Sequence, residues 1–363
     1  MWLVPCAAIV PRTILVTGSA GFIGGNVAIA LSASHPDWKI LGLDNLRRRG
    51  SELNLPRLRD AGVAFVHGDV RELDDLLSVG PVDAIVECSA EPSVLAGTEG
   101  NPDYLIKANL IGAYNCLETA RRHSADMIFL STSRVYPVAA LESARITETP
   151  TRFELAEAQE LQGISAVGIS EDLPLAGART LYGSTKLAAE LLIEEYRATF
   201  GLRAVIDRCG VIAGPWQMGK VDQGVFTYWM LAHHFNRPLR YIGFGGSGKQ
   251  VRDLLHIDDL SDLLDEQLNE MARWDGRTVN VGGGRDCSLS LVETTSLCAE
   301  ITGHKIEVLA STDTRPGDVP LYISDCSRLL SLTSWRPKRD ARTVLVDIHR
   351  WITDNETALS SAL

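Results

Sequence analysis

The fold class is decided by the stretch "TILVTGSAGFIGGN", residues 13–26. A β-branched apolar run is followed by Gly18, Gly21 and Gly24 at G-x-x-G-x-x-G spacing, and then by a run with helical character. Glycines at a strand-to-helix turn let the backbone turn tightly and approach a pyrophosphate, which then lies at the positive N-terminus of the helix. The segment therefore predicts the first strand–turn–helix unit of a dinucleotide-binding domain.

An acidic residue downstream supports this interpretation. Asp44 lies 20 positions after Gly24, at the end of a second predicted strand. A carboxylate in that place can accept hydrogen bonds from a ribose diol, and it would repel a 2′-phosphate, so the sequence favours NAD over NADP. The adjoining run "RRR" at 47–49 leaves NADP open, although such a run is also typical of a solvated surface turn.

Strands and helices alternate through the first 210 residues, which predicts an α/β fold with a doubly wound (Rossmann) parallel sheet covered on both faces. The predicted strands are "TILVT", "KILGL", "VAFVHG", "DAIVEC", "MIFLS" and "RAVIDR", and the predicted helices are "FIGGNVAIALSAS", "YLIKANLIGAYNCLETARR" and "LYGSTKLAAELLIEEYRATF". After residue 210 the pattern becomes irregular but stays ordered, and it indicates a smaller, interleaved C-terminal lobe.

The domain boundaries follow from this change of pattern. We expect a NAD-binding domain over 12–210, with returning segments near 251–283, and a substrate-binding lobe over 211–250 and 284–355. A polar, Glu-rich insertion at 138–180 interrupts the alternation. It is too long for a simple connection, so we expect a lid or a loop on the substrate side.

Composition excludes several classes of function. The net charge of −11 argues against general nucleic-acid binding, and no apolar run approaches the length of a membrane span. The apolar start lacks a basic region and is interrupted by Pro5 and Pro11, so we expect no signal peptide. Seven cysteines without C-x-x-C spacing indicate buried free thiols in a reducing, cytoplasmic setting.

A second motif, "TLYGSTKLAAELL" at 180–192, carries the chemistry. Tyr182 and Lys186 are four residues apart on a predicted helix, so their side chains share one face. An ammonium group beside a phenol favours the phenolate, which could take a proton from a sugar hydroxyl while hydride leaves the same carbon. A surface Tyr/Lys pair is the alternative, but the preceding "STSRVY" at 131–136 favours a catalytic pair.

Three further patterns are weaker. "GFGGSGKQ" at 243–250 comes close to a nucleotide-triphosphate loop, but Gln250 replaces the required hydroxyl and a strand pattern follows. The histidines, His233, His234 and His256, lack a complete set of metal ligands, and we expect no metal. The aromatic residues Trp216, Tyr228 and Trp229 could stack on a base or sugar, but their spacing is more typical of a core.

Taken together, "TGSAGFIG", "STSRVY" and "YGSTK" resemble the extended short-chain dehydrogenase/reductase family of nucleotide-sugar enzymes, from about residue 12 to residue 350. The resemblance implies NAD as cofactor, a nucleotide-diphospho-sugar as substrate, and a homodimer formed through helices near 101–123 and 181–200. It implies catalytic roles for Thr132, which would hydrogen-bond the reacting oxygen, for Tyr182 and for Lys186. The second half resembles a branch of CDP-sugar 2-epimerases.

The same resemblance implies the binding residues. For the cofactor they are Gly18, Gly21, Phe22, Ile23, Gly24, Asp44, Asn45, Asp69, Val70, Ser89, Ala90, Glu91, Asn109, Tyr182, Lys186, Cys209 and Val211. For the substrate they are Ser133, Arg134, Gln217, Lys220, Gln223, Arg252, Arg315 and Asp318. Arginine suits a diphosphate because its planar guanidinium group can pair with two phosphate oxygens at once.

One departure from the family pattern narrows the reaction. Family 4,6-dehydratases resemble "STDEVYG", in which an Asp and a Glu serve as acid and base for the elimination of water; here those positions are Ser133 and Arg134. An arginine is not a practical general base, so the usual dehydration is disfavoured. Epimerisation through a transient keto-sugar is favoured, with a 4-epimerase, a dehydrogenase and a non-enzymatic NAD-binding regulator as alternatives. Neither the nucleotide base nor the epimerised carbon can be read from charge or spacing.

Overall fold

The computed structural model describes residues 12–98, 100–219 and 223–362 of the chain. The expected absence of a signal peptide concerns residues outside this part, and so does the predicted substrate contact of Lys220.

The secondary structure contains the six predicted strands and the three predicted helices. The strands are β1 (Thr13–Thr17), β2 (Lys39–Asp44), β3 (Ala64–His67), β4 (Ala84–Glu87), β5 (Asp126–Thr132), β6 (Ile146–Glu148), β7 (Phe153–Leu155), β8 (Ala204–Cys209), β9 (Val211–Ala213), β10 (Leu239–Ile242), β11 (Val251–His256), β12 (Thr278–Val281), β13 (Ser288–Ser290), β14 (Val308–Ser311) and β15 (Leu321–Tyr322). The helices are α1 (Phe22–Ser34), α2 (Leu55–Asp60), α3 (Leu73–Ser78), α4 (Asp103–Ile106), α5 (Gly112–His123), α6 (Val138–Glu142), α7 (Leu181–Phe200), α8 (Val225–His234), α9 (Ile257–Asn269), α10 (Met271–Trp274), α11 (Leu291–Thr302), α12 (Ser327–Leu332), α13 (Ala341–Asp354) and α14 (Glu356–Ala362).

A seven-stranded parallel sheet forms the centre of the molecule, in the order β12-β8-β5-β4-β1-β2-β3. Both faces of its strands are buried: within β1, Ile14 and Val16 join one apolar cluster and Leu15 joins another. Helices α1 and α9 cover one face, and α5 and α7 cover the other. The predicted doubly wound fold is confirmed, because near-continuous apolar strands are what burial on both faces requires.

One predicted helix contains an interruption. The segment expected to be one helix consists of α4, a π-helical turn over Lys107–Ile111, and α5. Single π-helical turns inside α-helices often mark functional sites, because the extra residue turns a side chain in a new direction. Here the turn contains Asn109.

The C-terminal lobe is built on a second sheet. Strands β9, β13 and β15 pair with β11, while β10 and β14 form a separate pair, and α8, α11 and α13 pack around them. Within the segment expected to return to the first domain, α9 and β12 do pack on the central sheet. Strand β11 instead belongs to the sheet of the lobe.

The described part of the chain holds no helix of the length and apolarity needed to cross a bilayer. Its six cysteines are free thiols; Cys88 is half-buried and the other five are buried. This confirms the interpretation of these cysteines as free thiols rather than disulfide partners. No cluster of three or more potential metal ligands occurs within the described ranges.

Candidate active site

A cavity of about 650 Å³ opens at the carboxyl ends of the central strands. This is the edge at which ligands bind in open α/β sheets, because the chain changes direction there and leaves a crevice. The residues that line the cavity come from the glycine turn after β1, from the ends of β2, β4, β5 and β8, and from the start of α7. All the residues predicted to bind the cofactor line it except Asn109.

The glycine turn has the geometry that a pyrophosphate needs. Gly18 has a φ of 65°, and a Cβ atom there would lie 2.9 Å from the carbonyl oxygen of Cys88. A Cβ atom on Gly24 would overlap the Gly18 carbonyl, so only glycine allows α1 to approach β1 this closely. Helix α1 begins after Gly21 without a side-chain cap, which leaves its first N–H groups available to an anion at the cavity wall.

A carboxylate lines the cavity next to the glycine turn. Asp44 accepts hydrogen bonds from the backbone N–H groups of Ala20 (3.1 Å) and Leu46 (2.8 Å), which fix its orientation beside the glycine turn. Burial raises the pKa of Asp44 above its ordinary value, against the effect of these two bonds. A fixed acceptor next to the uncapped N–H groups of α1 fits the ribose and pyrophosphate of NAD.

The arginine run at 47–49 lines this cavity, while Arg47 and Arg49 also remain exposed to solvent. The guanidinium group of Arg47 lies 3.8 Å from the ring centroid of Tyr104, and Arg48 donates to the carbonyl of Met218 at 3.3 Å. Both residues, together with Arg49, contribute to the cavity wall near Asp44. The run therefore joins the loop after β2 to the loop after β9 across the mouth of the cleft.

Asn109 binds the loop after β4, which forms part of the cavity wall. Its side chain accepts from the N–H of Glu91 (2.8 Å) and donates to the carbonyl of the same residue (3.1 Å) and to Thr185 (3.3 Å). Asn109 does not itself line the cavity, and its binding of the cofactor stays a prediction. The π-helical turn instead aims Asn109 at the loop after β4, which itself lines the cavity, so Asn109 shapes that loop.

The predicted catalytic residues converge on the same cleft. Tyr182 and Lys186 lie in the first two turns of α7, where the Thr180 hydroxyl accepts from the N–H of Gly183 at 3.2 Å and caps the helix. Thr132 ends β5 and lines the cavity beside them. A Cβ atom on Gly183 would overlap the carbonyl oxygen of Arg134, so this glycine allows the helix to approach the segment after β5.

The electrostatics of the pair depend on burial. Burial raises the pKa of the Tyr182 phenol above its ordinary value, while the nearby Lys186 ammonium and the Thr132 side chain act in the opposite direction. Burial alone would lower the pKa of Lys186, but the carboxylate of Glu87 and the Tyr182 phenol raise it above its ordinary value. The lysine therefore stays charged although only 2% of its side chain is exposed.

Glu87 was not identified from the sequence. It ends β4, its side chain is 1% exposed, and its Oε2 atom lies 3.2 Å from Nζ of Lys186. In the sequence it was counted with an apolar strand pattern. An acid at the end of an otherwise apolar buried strand was the available signal, because an isolated buried carboxylate requires a partner.

A second cavity of about 570 Å³ lies on the side of the C-terminal lobe. Its lining includes the predicted substrate residues Arg252, Arg315 and Asp318, and the aromatic residues Tyr228 and Trp229. Both cavities share five lining residues, which are Val94, Arg134, Val211, Gln223 and Gly224. A ligand that occupies both cavities would pass beside these residues.

Arg134 lies at this junction. Its guanidinium group donates to the carbonyl of Gly317 at 3.0 Å, and burial lowers its pKa to about 10. In the second cavity Arg252 pairs with Asp318 at 2.6 Å. Arg134 therefore approaches the lobe from the central sheet, and Arg252 faces it from β11.

The other predicted substrate residues have mixed environments. Ser133 and Gln217 line the first cavity, but the Gln217 amide already donates to Ile212 (3.0 Å) and accepts from Thr227 (2.9 Å). Of the aromatic residues, Trp216 lines the first cavity and Trp229 is 5% exposed at the wall of the second.

The loop with a near match to a nucleotide-triphosphate motif is followed by β11 and not by a helix, so it lacks the helix N-terminus that such a loop needs. Gln250 lines the second cavity instead.

The insertion at 138–180 does not cover the cleft. None of its described residues lines either cavity. Its apolar side chains, among them Leu155 and Ile169, pack with Val251 and Tyr322 of the lobe, and the backbone of Ile169 bridges to Ser324. The structure therefore gives no support to a lid, while the alternative of a loop on the substrate side stays a prediction; the insertion packs against the second sheet.

Comparison with known proteins agrees with this geometry. The model of the NAD dependent epimerase/dehydratase family matches residues 14–282. CDP-paratose 2-epimerase from Salmonella typhi is 28% identical over 349 residues, which are 93% of this chain and 98% of that protein. A dTDP-glucose 4,6-dehydratase from Mycolicibacterium smegmatis is 29% identical over 349 residues, which are 95% of this chain and 94% of that protein.

Solved structures share the fold over nearly the whole chain. DesIV, a dTDP-glucose 4,6-dehydratase from Streptomyces venezuelae solved with NAD bound, is 25% identical with a TM-score of 0.76, covering 97% of this chain and all of that chain. UDP-glucuronic acid 4-epimerase from Bacillus cereus, solved with UDP-glucuronic acid and NAD, is 24% identical with a TM-score of 0.77, covering 94% of this chain and 99% of that chain. The chain belongs to the NAD dependent epimerase/dehydratase family, and its cofactor is NAD.

Proposed function

We propose that this member of the NAD dependent epimerase/dehydratase family epimerises a nucleotide-diphospho-sugar through a transient keto-sugar, as a CDP-paratose 2-epimerase would. One observation carries the proposal: Thr132, Tyr182 and Lys186 line one cleft, and Arg134 lies beside them where dehydratases of the family carry a carboxyl group. The chain thus has the groups for proton removal next to a hydride acceptor. It lacks the carboxyl groups that eliminate water.

The proposed cycle uses three side chains. Tyr182 removes the proton from the sugar hydroxyl and returns it when the carbonyl is reduced, acting as general base and then as general acid. Thr132 hydrogen-bonds the same oxygen and limits its position. Lys186 stabilises the phenolate by its charge. Bound NAD supplies the acceptor and donor of the hydride. The keto-sugar must present its other face before hydride returns, so the configuration of one carbon is inverted.

Charge in the second cavity supports a diphosphate ligand. The cavity walls carry the guanidinium groups of Arg134, Arg240, Arg252 and Arg315 and the carboxylate of Asp318. These leave a surplus of about three positive charges, which favours a ligand with several negative charges, such as a sugar-linked diphosphate. Arginine also binds phosphate oxygens in pairs, which favours this group over a single carboxylate.

The proposal is tested by measuring whether the protein converts any member of a panel of nucleotide sugars into its epimer. The purified protein would be incubated in D₂O with CDP-, UDP-, dTDP- and GDP-linked hexoses and followed by NMR. We expect one sugar to be converted into its epimer without deuterium on the ring carbons, because the same hydride returns. Loss of water to a keto-deoxy-sugar would show a dehydratase, and growth of the NADH absorbance band would show a dehydrogenase; either result would contradict the proposal.

We further propose a homodimer formed through α5 and α7. Large apolar side chains are exposed there, including Tyr114 (40%), Leu191 (60%) and Phe200 (53%), and a second copy would bury them. Light scattering should give the mass of two chains for the wild type and of one chain for Leu191→Glu. The matched control is Val167→Glu, at an equally exposed position (55%) in the insertion, which should leave the mass unchanged. A monomeric wild type would contradict this proposal.

A further inference from the structure

A buried carboxylate lies directly beneath the catalytic pair. Glu87 is the last residue of β4, and the three residues before it are fully buried and apolar. Its own side chain is 1% exposed. Burying a charge in such a place is unfavourable unless a partner and hydrogen bonds compensate for the lost hydration. The buried position of Glu87 therefore indicates that its carboxylate has a specific role.

The partner of Glu87 is the lysine of the site. Oε2 of Glu87 accepts from Nζ of Lys186 at 3.2 Å, across 99 residues of sequence, and the N–H of Ser89 also faces this carboxylate. The ring of Phe129, from β5, lies 4.3 Å from the same ammonium group. The ammonium is thus held between a carboxylate and the face of an aromatic ring, and its position in the cleft is fixed.

Other titratable groups around this pair are neutral thiols. Cys88 follows Glu87 in the chain, Cys116 faces the pair from α5, and Cys209 faces it from β8. Burial raises the pKa of each of these thiols above its ordinary value. The charges that act on the Tyr182 phenol are therefore those of Lys186 and Glu87 and, from the segment after β5, that of Arg134.

We propose that Glu87 is a positioning residue for the reaction proposed above: its carboxylate keeps the Lys186 ammonium charged and fixed, and so sets the pH at which the tyrosine–lysine pair loses its first proton. An unpaired ammonium in this environment would tend to lose its proton, because burial disfavours the charged form. The carboxylate prevents this by accepting a hydrogen bond from one of the three N–H groups of the ammonium.

A purely structural role explains the position less well. Helix α7 is already tied to the sheet one turn further on, where Glu190 pairs with Arg208 of β8 at 2.7 Å. A second buried ion pair adds little further anchoring, because the desolvation of two charges offsets most of their attraction. An apolar residue at the end of β4 would pack at lower cost. Only a charged residue at this position can control the protonation of Lys186 and Tyr182.

The test follows protonation directly and needs no sugar. NAD-loaded wild type, Glu87→Gln and Glu87→Asp would be labelled with [ζ-¹³C]tyrosine and [ε-¹³C]lysine and titrated by NMR, with Tyr182→Phe and Lys186→Met used to assign the two signals. The pair is coupled, so the measured quantity is its first titration step, seen on either label. Removing a negative charge lowers the pKa of both groups. We expect Glu87→Gln to move this step to lower pH by at least about one unit.

Two comparisons make the result decisive. Glu118→Gln removes another partly buried carboxylate, which binds Arg121 and Tyr196 at the outer side of α5, and it should leave the step where it is in the wild type. Glu87→Asp keeps the charge one methylene group farther away, so it should move the titration step by only part of the shift expected for Glu87→Gln. If Glu87→Gln does not fold, the Glu87→Asp variant serves as the test. A step that stays in place in the Glu87 variants overturns the proposal. Failure of the nucleotide-sugar panel would leave this measurement unaffected.

Discussion

Replacing Tyr182 by phenylalanine is expected to reduce turnover of the sugar substrate by about 10²- to 10⁴-fold, which is the usual contribution of a positioned acid–base group. The change removes one hydroxyl group and keeps the ring, so the packing of α7 against β5 should persist. Lys186 keeps its contact with Glu87 in the variant, and the glycine turn is untouched. NAD content, measured after denaturation and chromatography, should therefore match that of the wild type.

A second buried tyrosine provides the control for this substitution. Tyr136 is 1% exposed, and its hydroxyl donates to Asn280 at 2.7 Å, outside both cavities. Tyr136→Phe removes a buried hydroxyl of the same kind and should lower stability by about 1 kcal/mol with little change in the rate of the chemical step. Turnover near the wild-type level in Tyr182→Phe would remove the tyrosine from the mechanism.

The elements that the sequence predicted well are those whose signals are local. The glycine turn lies between β1 and α1 as expected, and α1 and α7 have the predicted bounds. Apolar strands, helix-favouring runs and the Thr180 cap each depend on residues a few positions apart. A short segment of sequence therefore contains the residues that determine each of these elements. The location of Asp44 and Thr132 at one edge could also be anticipated, because the carboxyl ends of all strands of a parallel sheet lie at the same edge.

The features that the sequence did not reveal depend on distant partners. The insertion at 138–180 was expected to be a lid or a loop on the substrate side because it is too long for a simple connection. Its structure is decided by contacts such as the N–H of Phe153 with the carbonyl of Lys249 and the bridge between Ile169 and Ser324. Likewise the contacts of Asn109 depend on an extra residue in a helical turn. The apolar periodicity of the segment does not predict this extra residue.

The contact between Glu87 and Lys186 belongs to the same class. The two residues are 99 positions apart, and they meet because β4 lies next to β5 in the sheet while α7 packs over both. The sequence identified the lysine from its spacing to Tyr182. The acid at the end of an apolar strand was visible in the sequence, but its partner could be recognised only once the order of the strands was known, since that order decides which strand ends beneath the helix.

A second buried ion pair ties the same helix to the sheet. Tyr182, Lys186 and Glu190 follow one another at four-residue intervals, so all three project from one face of α7 toward the sheet. The Glu190 carboxylate binds Arg208 of β8 at 2.7 Å and also accepts from the hydroxyl of Ser131 in β5. Only 7% of the Arg208 side chain and 3% of the Glu190 side chain are exposed. This ion pair therefore fixes the position of α7 relative to β5 and β8.

Arg208→Met is therefore expected to lower the free energy of unfolding by about 3–5 kcal/mol, because it leaves the Glu190 carboxylate buried without a countercharge. Urea unfolding at neutral pH measures the change. The double variant Arg208→Met/Glu190→Met replaces both charges by apolar chains of similar length, and it should recover most of the loss, since neither desolvated charge remains. A double variant as unstable as Arg208→Met alone would contradict this explanation and would attribute the loss to packing of the arginine side chain rather than to an unpaired carboxylate.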